Sequence, residues 1–124
     1  MSTRKADMTK DDYIRAETKR LRAIFVNLPQ DSAAIAEKLI ENAAFMAVSL
    51  RELQTAINEK GYVEEYQNGA NQSGVKKSSE VEVYNTMIKN FNVTMKQLID
   101  LLPESAGTGK SNPVLEYITR RGAS

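Results

Sequence analysis

KGYVEEYQNGANQSGVKKSSEVEVYNTMIKNF, residues 60–91, is the stretch on which the fold turns. Gly61 stops whatever precedes it, and GYVEEY is rich in strand formers. Asn68-Gly69 is a hairpin-turn signal, and VKKS can return as a second strand. From Ser79 the spacing changes to that of a helix, with Glu82 three residues on as the second half of a capping box. The expectation is a short β-ribbon-like insert over 61–79, set between helices. The plain alternative is an irregular connection, although roughly 18 residues is long for a link between packed helices. A two-stranded ribbon is marginal alone, so it should rest on something, a neighbouring subunit included.

Working outward, helical patterns flank the insert. Leu39, Ala43, Met46, Leu50, Leu53 and Ile57 are spaced 4, 3, 4, 3 and 4 residues apart. Downstream, Val81, Tyr84, Ile88, Phe91, Met95, Leu98 and Leu102 follow the same alternation and end at Pro103. Both are heptad seams, which predicts a long antiparallel helical hairpin. A further stripe, Ile40, Ala44, Ala47 and Val48, widens the apolar face of the first of these helices. A helix of that length with two stripes needs more than one neighbour, inside the chain or in another copy. Upstream, Thr9 can cap an N-terminal helix carrying Ile14, Leu21, Ile24, Phe25 and Leu28, which Pro29 brings to a close. The fold expected is mainly α, with helices at about 10–27, 32–60 and 80–102, the second starting from Asp31 or Ser32. Residues 1–8 read as a flexible basic N-terminus, 9–103 as the helical domain and 104–124 as a flexible tail.

Composition narrows the chemistry. The 124 residues include no histidine, cysteine or tryptophan, which removes imidazole acid–base work, thiol nucleophiles and thiolate metal sites. Seventeen basic residues oppose sixteen acidic ones, so no global charge announces a polyanion partner. No segment approaches the roughly 20 apolar residues of a membrane span, so a soluble intracellular protein without a membrane partner is expected.

Candidate motifs are few. GTGKS, residues 107–111, lacks the leading glycine of a P-loop, since Glu104 stands there, and a helix end precedes it where a strand is needed. Asp11-Asp12 suits a helix N-terminus, and Glu64-Glu65 point to opposite faces of a strand. No enzyme, cofactor or metal site is expected. Residues 1–30 hold seven cations against four acids, and Arg15, Lys19 and Arg22 fall at i, i+4 and i+7. That stripe can follow a phosphate backbone or form a solvated, internally paired helix face. Helix one, NLPQDS and the start of helix two have the short turn of a helix-turn-helix. Helix one is too long for that motif, however, and SAAIAEK lacks base-reading side chains.

The order of parts carries a resemblance. LPQDSAAIAEKLIENAAFMAVSLRELQTAINEKG followed by YVEEYQNGANQSGVKKSSEVEVYNTMIKNFNVTMKQLIDLLP, residues 28–103, resembles the small subunit of tailed-bacteriophage terminases. A long helix ending at glycine, a strand-like segment with an Asn-Gly turn, a polar cap, a second helix and a Leu-Leu ending make the likeness. The resemblance implies a non-catalytic protein that assembles into a ring and binds double-stranded viral DNA. It would hand that DNA to the large ATPase and nuclease subunit in the host cytoplasm, and would be absent from the mature virion. Beside that implication, the residues themselves suggest Arg4, Lys5, Lys10, Arg15, Lys19, Arg22, Lys76 and Lys77 for DNA. Ile40, Ala44, Ala47, Val48, Tyr62, Val63 and Tyr66 are suggested for subunit contact, and Leu115, Tyr117, Ile118, Arg120 and Arg121 for the large subunit. The rival reading is a helical adaptor that contacts only protein.

Overall fold

The computed structural model describes residues 7–67, 69 and 73–103. Helix α1 spans Lys10–Ile24, α2 spans Gln30–Lys60 and α3 spans Ser79–Asp100. Strands β1, Val63–Gln67, and β2, Ser73–Lys77, form an antiparallel ribbon between α2 and α3. The mainly α architecture with a ribbon insert is the one expected.

Thr9 caps α1 reciprocally: its Oγ1 accepts from the Asp12 N–H at 3.2 Å while its own N–H donates to the Asp12 carboxylate at 3.0 Å. The helix ends at Ile24, three residues before the expected Asn27. Pro29 has no N–H to continue a ladder and disfavours helix at Leu28, so the chain unwinds a turn early. Neither Asp31 nor Ser32 caps α2. Pro29 stands at the cap position, and its carbonyl accepts from the Ser32 and Ala33 N–H groups at 2.9 and 3.0 Å. Its locked φ suits a helix entry, which moves the start forward to Gln30.

The cap of α3 also shifts by one residue. Ser78, not Ser79, accepts the Val81 N–H at 3.2 Å, whereas the Ser79 hydroxyl donates to Glu64 on β1. Ser78 is buried, and its N–H donates to the Tyr62 carbonyl at 2.9 Å, closing the base of the ribbon. At the far end, Leu101 and Leu102 make i→i−3 bonds to Leu98 and Ile99, a tightened last turn ahead of Pro103.

All three helices meet at one end of the molecule. Leu21 and Phe25 from α1 and its cap join Ala36, Ile40, Ala43 and Ala44 of α2 and Met95 and Leu98 of α3 in the buried cluster. Helix α2 is antiparallel to both neighbours. Lys10 reaches Glu52 at 2.9 Å and Arg22 reaches Glu37, while Lys60 reaches Glu80 at 2.8 Å and Gln54 donates to Tyr84 at 3.3 Å. Each stripe of α2 thus has its own partner within the chain. At the opposite end the hairpin of α2 and α3 continues without α1 and carries the ribbon.

Gly61 makes the corner between α2 and the ribbon, with φ 88° and ψ −176°. An L-residue avoids that region, although a Cβ there would meet nothing within 4 Å. Gly61→Ala is therefore expected to cost about 1–3 kcal/mol through backbone strain alone. Asparagine should not rescue it, because ψ lies far from the left-handed helical well that asparagine tolerates. Urea unfolding of the three proteins measures this, and equal midpoints would refute it.

Candidate functional site

The α1 stripe forms as expected, but most of it is engaged. Arg15 pairs with Asp12 at 3.1 Å. Arg22 Nε donates to both Glu37 oxygens at 2.9 and 3.2 Å, and its Nη2 donates to Oε1, a forked clamp between α1 and α2. Lys10 binds Glu52 and lies 4.8 Å from the centre of the Phe45 ring. Lys76 pairs with Glu64 at 3.5 Å. Among the described residues Lys19, Arg51, Lys77 and Lys89 are the cations outside any ion pair. They sit one each on α1, α2, β2 and α3, so the chain offers dispersed positive points in place of a continuous stripe. Arg4 and Lys5 lie outside the described residues, as do GTGKS and Leu115, Tyr117, Ile118, Arg120 and Arg121.

These pairs set a pH dependence. The Thr9 backbone N–H holds the Asp12 carboxyl below its ordinary value of 3.8. Hydrogen bonds from Arg22 and Lys60 hold Glu37 and Glu80 below their ordinary 4.5. A carboxylate whose folded pKa is depressed stabilises above its unfolded pKa, and that contribution is lost as pH falls through the folded value. The thermal midpoint should hold level from neutral down to about pH 5 and then fall toward pH 3. Added salt should shrink the fall, because the groups are partly exposed. A midpoint insensitive to acid would remove these pairs from the stability of the fold.

The residues suggested for subunit contact divide into two groups. Ile40 and Ala44 are 3% and 0% exposed within the chain's own core, so that assignment is corrected: α1 covers them. Ala47 and Val48 are half-buried in a groove of about 530 Å³ between α1 and α2, beside Tyr13, Ala16 and the buried Glu17. Tyr62, Val63 and Tyr66 remain on the surface, at 71%, 58% and 39% exposure. Val75 joins them at 62%, a residue the alternation of VKKS could have flagged.

Strand register explains the arrangement. Val63 pairs with Lys77, Glu64 with Lys76, Glu65 with Val75 and Tyr66 with Gly74. Side chains alternate, so Glu64, Tyr66 and Lys76 share one face while Val63, Glu65, Val75 and Lys77 share the other. On the first face the Tyr66 ring lies over Gly74, where a Cβ would come within 3.0 Å of it. The ring fills the place of the missing side chain. The second face carries two exposed valines and two charges, Glu65 and Lys77, without ion pairs among the described residues.

Among the described residues no three acidic side chains gather as a metal-ion cluster, and no helix is long and apolar enough to cross a membrane. No protein-family model, curated protein or solved structure matches the chain.

Proposed function

We propose that this chain is a non-catalytic DNA-packaging subunit of the small-terminase type. It assembles with copies of itself, gathers double-stranded viral DNA and presents it to a large ATPase and nuclease subunit in the host cytoplasm. One observation carries the reading: a long helix ending at Gly61, an antiparallel ribbon and a Ser-capped helix follow in the order of the resemblance. The exposed ribbon supports self-assembly, since two strands with Tyr62, Val63, Tyr66 and Val75 uncovered gain stability from a neighbour. Dispersed cations fit the same picture. One chain neutralises few phosphates, whereas a ring repeats Lys19 around a circle, so DNA affinity is a property of the assembly.

A helical adaptor that contacts only protein is the second reading, favoured by the ion pairs that occupy Arg15 and Arg22. Light scattering with and without a duplex fragment separates them. The packaging reading expects a discrete oligomer whose DNA affinity falls with salt at a log–log slope near −0.9 per phosphate engaged. Lys19→Gln should flatten that slope without disturbing the fold. A species indifferent to DNA at low salt would favour the adaptor.

A further inference from the structure

We infer that the ribbon is the contact between copies, and that it joins them head to tail, the free edge of β1 on one copy against the free edge of β2 on the next. The inference rests on the self-assembly in the packaging reading and adds the surface and the direction. Among the described residues each strand has one paired edge and one open edge, and neither strand contains the proline that would block an open one. Their charges are segregated: VEEYQ carries two acids and no base, while SGVKK carries two bases and no acid.

That segregation selects the pairing. A two-fold contact would set β1 against β1, or β2 against β2, laying two acid-only or two base-only strands side by side. Like charges directly opposite one another destabilise a sheet. Setting β1 against a neighbour's β2 in the chain's own register lays an acid-only strand beside a base-only one and puts Glu65 diagonal to the neighbour's Lys77. It also sets Val63 diagonal to the neighbouring copy's Val75, both more than half exposed. A head-to-tail contact leaves one edge open at each end, so it propagates until the rotation closes a ring. The ribbon therefore supplies both the adhesion and the polarity of the assembly.

Single charge reversals test this without touching the Glu64–Lys76 pair. Glu65→Lys leaves only cations on that face and Lys77→Glu leaves only acids, so each should fail to self-associate. The expected loss is roughly ten-fold or more in association per contact, read as a fall in mass on dilution. An equimolar mixture should recover the parent mass as alternating copies, with circular dichroism confirming unchanged helix in each variant. Full-mass assemblies of either variant alone, or a mixture that stays dissociated, would overturn the inference. So would a parent chain that is monomeric at all concentrations. DNA uptake by the parent is read separately: an assembly that binds DNA yet ignores both reversals would sink the ribbon contact and leave the packaging reading standing.

Discussion

Leu98→Ala is expected to lower the stability of the chain by about 2–5 kcal/mol, the cost of lost burial plus a cavity that cannot collapse. Leu98 has no exposed surface and sits where α3 meets the cluster built from Leu21, Phe25, Ile40 and Ala43. Three helices converge there, so truncation opens a space lined by all of them and no single helix can move to fill it. Domains of this size are stable by roughly 5–15 kcal/mol in total, so one such change removes a large share. The thermal midpoint should fall on the order of 10–20 °C. Leu39→Ala is the control, because Leu39 is only partly buried at the edge of the same cluster and should cost less. Equal losses at both sites would mean that the packing around Leu98 is not the centre of the fold. Neither change alters the ribbon, so any assembly that survives should keep the parent mass at temperatures where the variants remain folded.

Much of that packing was legible as pattern. The heptad spacing of Leu50 and Leu98 placed them inward, and both are buried. Gly61 and the Asn-Gly pair predicted the ribbon, and alternation predicted that Glu64 and Glu65 would part company. What spacing could not say is which element covers which stripe. Ile40 and Ala44 form an apolar row that a helix of the same chain and a second copy would satisfy equally. The choice depended on where α1 lies, and that was set by Pro29 turning the chain back along α2 and by Arg22 clamping Glu37 fifteen residues away. The charged stripe was only half legible for a related reason. Arg15, Lys19 and Arg22 do line one face, but periodicity shows only the side chains of the helix in question. The acids that occupy Arg22 and Lys10 stand on α2, at Glu37 and Glu52. The candidate surface that persists is the ribbon, where exposure follows from local register and needs no knowledge of a distant partner.

Ile40→Glu should unfold the chain, and its contrast with Val75→Glu tests the division between core and contact surface. Ile40 is 3% exposed among Leu21, Ala43 and Ala44, and Arg22, next to Leu21 in the chain, is already held by Glu37. An isolated buried charge is too costly to keep, so the group must neutralise or the helices must part. Losing the isoleucine side chain alone costs about 2–5 kcal/mol, and the polar group adds to it, which brings the sum to the scale of the whole stability. Far-UV circular dichroism at neutral pH should show loss of most helix; lowering the pH should recover little, since acid also weakens the Asp12, Glu37 and Glu80 contacts. Val75→Glu falls on an exposed strand position and should leave the helical signal and thermal midpoint of the single chain nearly unchanged. Its effect belongs to assembly: a third acid on a ribbon face that already carries Glu65 should weaken contact between copies. The opposite pattern, a folded monomer from Ile40→Glu and an intact assembly from Val75→Glu, would return the α2 stripe to the interface and leave α1 docked elsewhere.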